Sequence, residues 1–341
     1  MSDRVAILHI GTHKTGTTSL QLFFEANKPR FAQAGVLVTQ SGRYETLAGN
    51  HHIAWELLYG PQSEHLDELV AELRASPYRT ALLSSEDFCL LYAYEASFVA
   101  LRDAILSTGY TPKIVLYLRP QGPYAESMYV ERVKHAYVRP LRTFLDAIFE
   151  RGVYEVDDSP IRLEFRYTRL VAPFVRVFGR ENVVVRPYVA SAEQLTIFRE
   201  FIGIIGMLDP LFAKTPLDLG IAVPRANESI EFGSLVTSAA TALVGPAVDL
   251  AAEVRAHAPG LDEATWRSRY RLLTHGEMLR FADAFAQDNE ALATTFGVRL
   301  PGGGRDDVAP VGDARWQQAA AQRATYDALI EAWTRRDTSR P

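Results

Sequence analysis

The sequence contains very little cysteine. Its 341 residues include one, Cys89, so no intrachain disulfide can form and a zinc site built from several cysteines is excluded. The first residues also lack the basic segment and cleavage site of a secretory signal. We therefore expect a cytoplasmic protein.

Two further properties are missing, a positive net charge and a long apolar run. The formal net charge is −5, which argues against a general nucleic-acid binder. The longest apolar run, near residues 201–208, is far shorter than the roughly 20 residues that a membrane span needs. We predict neither a nucleic-acid partner nor a membrane span, so any anionic ligand must be held by local positive charge.

The most informative stretch is residues 4–21, RVAILHIGTHKTGTTSLQ. Its first part is apolar at both alternating positions, which predicts a parallel strand buried on both faces. Gly11 and Gly16 bracket a loop, and the hydroxyl-rich residues after Gly16 indicate the start of a helix. Backbone N–H groups and the helix dipole converge at such a junction, so we predict a site for phosphate or sulfate oxygens.

The spacing of the two glycines matches the first half of the nucleotide-binding pattern G-x-x-x-x-G-K-[ST]. Thr18 occupies the hydroxyl position, but Thr17 stands where that pattern has lysine. The lysine is Lys14, inside the loop. An ATP site uses its lysine on the β- and γ-phosphates. We expect the Lys14 ammonium to lie instead at the bridge between two anionic groups.

Two more buried strands are predicted at residues 80–85 and 113–118, and both end in charged residues. Glu86 and Asp87 follow the first strand, and Arg119 follows the second. Because ligands bind beyond the carboxyl ends of parallel strands, Glu86 and Arg119 are candidate site residues. Asp87 is either a site residue or a helix cap. Ser127, eight positions after Arg119 (127 − 119), is placed to meet the same anion.

Together, HKTGTT and YLRPQGPYAESMY resemble the nucleotide-binding motifs of sulfotransferases that use 3′-phosphoadenosine 5′-phosphosulfate (PAPS). The resemblance implies a three-layer α/β fold with a P-loop-type parallel sheet flanked by helices, and a helical C-terminal extension. It implies PAPS as donor, 3′,5′-adenosine bisphosphate (PAP) as product, and no metal. The implied contacts to the 5′ side come from Lys14, Thr15, Gly16, Thr17, Thr18 and Ser19. Those to the 3′-phosphate come from Arg119, Ser127 and Arg225.

We predict a nucleotide-binding core over residues 1–230 and a helical extension over 231–341, which either packs on the core or forms a homodimer face. In the proposed reaction Lys14 would stabilise the departing oxygen. Glu86 is our first choice for the base, and His51 and His52 are second choices. The motifs look bacterial, and the expected acceptor is a small molecule or saccharide with a hydroxyl or amine.

Aromatic and basic residues are candidates to line the acceptor site, and they leave its chemistry open. They are Tyr44, Trp55, Phe88, Tyr92, Arg132, Lys134, His135 and Arg139. Two other functions also stay open. One is an ATP-dependent small-molecule kinase with Glu86 or Asp87 holding the metal. The other is a nucleotide-binding protein without catalytic activity.

Overall fold

A computed structural model describes residues 4–44, 48–60, 63–189, 195–212 and 230–337 of the chain. The chain divides into two compact units. The first comprises residues 1–119, 155–227 and 291–299, and the second comprises 120–154, 228–290 and 300–341. The predicted division at residue 230 stays a prediction.

The strands are short and most belong to one sheet. They are β1 (Arg4–His9), β2 (Val36–Val38), β3 (Thr80–Ser84), β4 (Tyr110–Leu118), β5 (Val153–Glu155), β6 (Arg162–Glu164) and β7 (Val183–Pro187). Five of them form a parallel sheet in the order β2-β3-β1-β4-β7, and β5 pairs with β6. The central position of β1 explains its sequence, because a strand bonded on both edges and covered on both faces has no solvent-facing side.

The helices cover much of the remaining chain. They are α1 (Thr17–Ala26), α2 (Lys28–Gln33), α3 (His51–Tyr59), α4 (Glu64–Ala75), α5 (Glu95–Leu106), α6 (Gln121–Lys134), α7 (Leu141–Arg151), α8 (Tyr167–Phe178), α9 (Leu195–Leu208), α10 (Phe232–Val244), α11 (Leu250–His257), α12 (Glu263–Arg267), α13 (His275–Ala284), α14 (Ala286–Phe296) and α15 (Ala314–Asp337). A 3₁₀ helix spans Glu86–Ala93. Within the described residues, no helix has both the length and the apolar character needed to cross a bilayer.

The core of the first unit lies against the sheet. Ile7 of β1 and Val115 of β4 pack with phenylalanines of α1 and α9. The rings of Phe23 and Phe198 stack with their centroids 4.6 Å apart. Burial of such rings supplies most of the stability of a layered α/β unit. The predicted α/β fold, a parallel sheet flanked by helices, is confirmed.

One strand is longer than its sequence pattern indicates. Residues 107–112 contain Gly109 and Pro112, which is typical of a turn, but β4 begins at Tyr110 and includes Pro112, which lies opposite Ala6 of β1. Pairing of β4 with β7 begins only at Ile114. Pro112 therefore precedes the part of β4 that is bonded on both edges, where a missing N–H is tolerated.

In the second unit, the amphipathic segment at residues 230–258 forms two helices, α10 and α11. They are separate because Gly245 adopts a positive φ of 101° and Pro246 follows it. The amphipathic segment at residues 275–296 also forms two helices, α13 and α14. The core of this unit includes large buried side chains from three helices. They are Tyr129, Phe144, Tyr326 and Trp333.

Candidate functional site

The connection between β1 and α1 is a loop with three residues in left-handed conformations. Gly11, Lys14 and Gly16 have φ values of 86°, 61° and 77°. Gly11 is also held close to another element, because a Cβ there would lie 2.9 Å from the Cβ of Glu86. A residue with a side chain rarely adopts a positive φ, so the surrounding loop must hold Lys14 in this conformation.

Hydrogen bonds fasten this loop to β4 and to itself. The N–H of Thr12 donates to the carbonyl of Tyr117 at 2.8 Å, and the Thr12 hydroxyl donates to the same oxygen at 3.2 Å. The hydroxyl of Thr15 donates to the carbonyl of Thr12 at 2.5 Å. Both threonines are buried. The Thr15 hydroxyl thus braces the loop, and a contact of Thr15 with a ligand would involve its backbone.

The start of α1 has the features of an anion site. Gly16 is the N-cap residue, and no side chain caps the helix. The first turn contains no acidic residue. Thr17 is buried, whereas Thr18 and Ser19 are partly exposed. Because the first N–H groups of a helix have no acceptor within it, they and the dipole favour an anion at this end.

Arg119, at the end of β4, reaches the loop. Its Nη1 donates to the carbonyl of Lys14 at 3.4 Å, and its own carbonyl accepts the hydroxyl of Tyr167. The parallel pairing of β1 with β4 brings their carboxyl ends to the same edge of the sheet. The structure thus brings the Arg119 guanidinium to the backbone of Lys14, and it adds Tyr167, which the sequence gave no reason to choose.

Two other predicted nucleotide contacts are not placed in this site. Ser127 lies on α6 in the second unit, where it is buried. Its contact with the 3′-phosphate stays a prediction. Arg225 lies outside the described residues.

Glu86 lies beside the loop, as its position after β3 predicts. Its backbone and Cβ border the place where a side chain on Gly11 would stand. Its Oε2 accepts a hydrogen bond from Nε2 of Gln21, a buried residue of α1, at 2.8 Å. This bond orients the carboxylate, and the assignment of Glu86 as the base stays a prediction.

Asp87 is not the helix cap that we considered. The N–H of Asp87 donates to the hydroxyl of Ser85, so Ser85 caps the 3₁₀ helix. The Asp87 carboxylate instead accepts three side-chain bonds. Its Oδ1 is 3.0 Å from Nε2 of His13, and its Oδ2 is 2.8 Å from Nδ1 of His51 and 2.9 Å from Nε1 of Trp55. We call Asp87, His13, His51 and Trp55 the Asp87 cluster.

The Asp87 cluster is ionic. Burial opposes the charge of Asp87, but the bonds from His13 and His51 outweigh it and lower the pKa of the carboxyl. Burial likewise opposes the charge of His13, yet Asp87 and Cys89 raise its pKa well above 6.5, and Asp87 with Glu86 raises the pKa of His51. His9 shows the contrast, because burial lowers its pKa to about 3.

His52, a candidate base, belongs to a different group of side chains. Its ring stacks on Tyr44 with centroids 5.3 Å apart and meets Trp55 edge-on at 5.2 Å. It lines a surface pocket of about 340 Å³. The other lining residues are Trp55, Glu56, Tyr59, Gly60, Glu64 and His65. The structure therefore places His52 at this pocket, whereas Glu86 borders the loop.

The candidate acceptor residues divide among different places. Phe88 is fully buried in the core, so it cannot line an acceptor site. Tyr44 and Trp55 surround His52, and Tyr92 is partly buried. The four basic candidates belong to the second unit. Among the residues that the structure describes, no group of three or more metal-ligating side chains could hold a metal ion.

Comparison with known proteins adds little. No family model matches the chain, and no curated protein matches its sequence. One solved structure that resembles it is a sulfotransferase from Alicyclobacillus acidocaldarius. The identity is 17%, the TM-score is 0.39, and the match covers 77% of this chain and 99% of that one. At this distance the likeness does not bear on activity, which has to be inferred from the chain's own residues.

Proposed function

We propose that the protein transfers a sulfuryl group from PAPS to a hydroxyl or amine of a small-molecule or saccharide acceptor. The observation that carries the proposal is the contact between the Arg119 guanidinium and the Lys14 carbonyl. The motif resemblance assigns these two residues to opposite ends of the same donor. Their contact supports the proposal, because it holds the guanidinium assigned to the 3′-phosphate against the loop whose lysine is assigned to the phosphosulfate.

The loop fits the 5′ end of that donor. The N-terminus of α1 offers N–H groups without a first-turn carboxylate to repel the ligand. In an in-line displacement, a new bond forms from the acceptor oxygen or nitrogen to sulfur while the bond from sulfur to the bridging phosphate oxygen breaks. Lys14 would neutralise the charge that develops on that oxygen. One such interaction contributes about 10²–10³ to turnover in other enzymes.

Glu86 is the proposed base that takes the acceptor's proton. Its carboxylate is partly exposed beside the loop and oriented by Gln21. A carboxylate held in this way remains able to accept a proton from a bound hydroxyl or ammonium group. His51 is less suited to this role, because its side chain is buried, whereas Glu86 is partly exposed.

Two observations favour sulfuryl transfer over the kinase alternative. Thr17 occupies the position of the lysine that an ATP site uses on its β- and γ-phosphates, and it is buried. The Asp87 carboxylate, a candidate metal ligand for the kinase, accepts bonds from two imidazoles and an indole. Those donors compete with Mg²⁺ for the same oxygens.

The test is nucleotide binding followed by turnover. We expect isothermal titration calorimetry to detect PAP binding with EDTA present, and weaker binding of ATP with Mg²⁺. A panel of saccharides, phenols and amines incubated with PAPS should then yield a sulfated product by mass spectrometry. Tight binding of ATP only with Mg²⁺ would favour the kinase, and PAP binding without turnover on any acceptor would favour the non-catalytic protein.

A further inference from the structure

The Asp87 cluster is a feature that the proposed reaction does not itself require. It joins three elements of the first unit, since His13 is in the loop, Asp87 follows β3, and His51 and Trp55 are on α3. Partly buried charges are costly unless they are paired, and this group is paired almost entirely within itself. Such a cluster beside an anion-binding loop calls for a functional explanation.

We propose that His13 is the second cation of the anion-binding loop, and that Asp87 is the positioning residue that keeps it charged and in place. The inference rests on the proposed function, because that function gives the loop an anionic ligand. His13 immediately precedes Lys14, so the two cations are adjacent in the loop. The loop would then meet the donor with an imidazolium as well as an ammonium.

The contacts of the His13 ring agree with a charged imidazole. Nε2 lies 3.0 Å from Oδ1 of Asp87, and Nδ1 lies 3.7 Å from Sγ of Cys89. A carboxylate is only an acceptor, so Nε2 must carry a proton. Nδ1 faces a sulfur that accepts a weak bond from a protonated nitrogen. The side chain of His13 keeps 17% of its surface exposed, and both ring nitrogens are bonded within the protein, so its charge would act on a ligand through space.

The charged groups around His13 give the cluster a positive balance. Asp87 and Cys89 face it from the 3₁₀ helix, His51 faces Asp87 from α3, and Lys14 is its neighbour in the loop. With both imidazoles protonated, His13, His51 and Asp87 sum to +1 (two positive charges and one negative). Glu86 interacts electrostatically with His51, so its negative charge reduces the positive potential of the cluster. Its described hydrogen bond is to Gln21.

Asp87 can act as a positioning residue because it is itself fixed. Its Oδ2 accepts from His51 and Trp55, both on α3, and its N–H bonds to Ser85. Rotating the carboxylate toward a different partner would break several of these bonds. The side chain of His13, and with it the residue before Lys14, is therefore held to a rigid element.

The inference predicts a specific pH dependence. A histidine whose folded pKa lies well above 6.5 remains charged at pH 6.5, and its contribution disappears as the pH rises through that raised pKa. Asp87 has a lowered pKa, so it stays ionised throughout this range. Wild-type anion binding should therefore persist above pH 6.5. Without Asp87, His13 should lose its proton near or below 6.5.

The first experiment measures His13 directly, without ligand. The protein is labelled with ¹³C-histidine, and the Cε1–H signals are followed by NMR from pH 5 to pH 9. His13→Gln assigns the signal. We expect the midpoint for His13 to lie well above 6.5 and to fall by at least one pH unit in Asp87→Asn. A midpoint at or below 6.5 in the wild type, or one unchanged by Asp87→Asn, would overturn the inference.

The second experiment measures PAP binding by calorimetry at pH 6.0 and pH 8.0. The loss of affinity caused by Asp87→Asn should be smaller at pH 6.0 than at pH 8.0, where it should be roughly tenfold. Asp103→Asn is the matched control, because Asp103 is an exposed residue of α5 paired with Arg102. The titration of the PAP phosphates is common to all variants and cancels in the comparison.

The outcomes separate a structural role for Asp87 from the proposed one. Equal weakening by Asp87→Asn at both pH values would mean that Asp87 only supports the fold, and it would overturn the inference. His13→Gln should weaken binding at pH 6.0 and at pH 8.0, and it should abolish the difference made by Asp87→Asn. If PAP binds to no variant while His13 titrates well above 6.5, the proposed function fails and the charged state of His13 stands.

Discussion

Two carboxylates, Glu126 in the second unit and Asp87 in the first, have different kinds of hydrogen-bond partner. In the second unit, the Glu126 carboxylate accepts from the N–H groups of Leu272 at 2.6 Å and Leu273 at 3.1 Å. Gln322 accepts from the N–H of Arg271 at 2.5 Å. In the first unit, the Asp87 carboxylate accepts from three side chains. Glu126 and Gln322 thus satisfy backbone groups, whereas Asp87 joins side chains from different elements.

The two kinds of partner differ in whether the fold itself requires them. A buried backbone N–H needs an acceptor wherever regular structure ends, and Glu126 and Gln322 supply such acceptors. No such demand requires His13, His51 and Trp55 to meet at one carboxylate. Well-packed apolar side chains often serve stability as well as a buried ion pair does. We therefore assign the Asp87 cluster a proposed role in ligand binding, whereas Glu126 of α6 and Gln322 of α15 satisfy backbone N–H groups.

The largest expected effect comes from Lys14→Ala. Because the ammonium would neutralise the departing oxygen, we expect turnover to fall about 10²–10³-fold or more. The matched control is Lys28→Ala, since Lys28 is a partly exposed lysine of α2 that lies outside the loop. Sulfated product is measured by mass spectrometry. Equal turnover by the two variants would contradict the role of Lys14.

Glu86→Gln should affect turnover more than donor binding. The amide preserves shape and keeps an oxygen that can accept from Gln21, but it cannot take up the acceptor's proton. We expect turnover to fall about 10²-fold and the affinity for PAP to change little. Calorimetry and initial rates provide the two readings. Unchanged turnover would show that another residue is the base.

Gly11→Ala tests the close approach of the loop to the element after β3. Alanine at a left-handed φ costs roughly 1–2 kcal/mol, and a Cβ 2.9 Å from Cβ of Glu86 adds about 1–3 kcal/mol of overpacking. Gly35→Ala is the matched control, because Gly35 has a φ of 80° and nothing within 4 Å of its Cβ position. Urea denaturation should show the larger loss at Gly11. Equal losses would mean that the contact is easily relieved.

Glu126→Ala gives the smallest effect and concerns the second unit. Removing the carboxylate leaves the N–H groups of Leu272 and Leu273 without this acceptor, which should cost about 1–3 kcal/mol of unfolding free energy. Glu126→Gln keeps an acceptor oxygen and should lose much less. Both are measured by chemical denaturation. If the two substitutions cost the same, the charge of Glu126 matters more than its bonds to backbone.

From the sequence alone, the central strands of the sheet and the loop after β1 could be located. Apolar residues at both alternating positions of β1 and β3 identify buried strands, because a strand covered on both faces cannot alternate. The two glycines and Lys14 identify the loop because its conformation depends on residues next to one another in the chain. Helix breaks are harder to predict, because the amphipathic pattern continues through residues 230–258 although Gly245 and Pro246 separate α10 from α11.

Only the tertiary structure shows which side chains Asp87 pairs with. Its partners His13, His51 and Trp55 lie 74, 36 and 32 positions away, so no local spacing links them. From the sequence, Asp87 after a strand fits a helix cap, and the neighbouring Ser85 takes that role instead. The parallel order of β3, β1 and β4 brings their carboxyl ends to one edge. Charge pairing acts through space, and the fold sets the distances over which it acts.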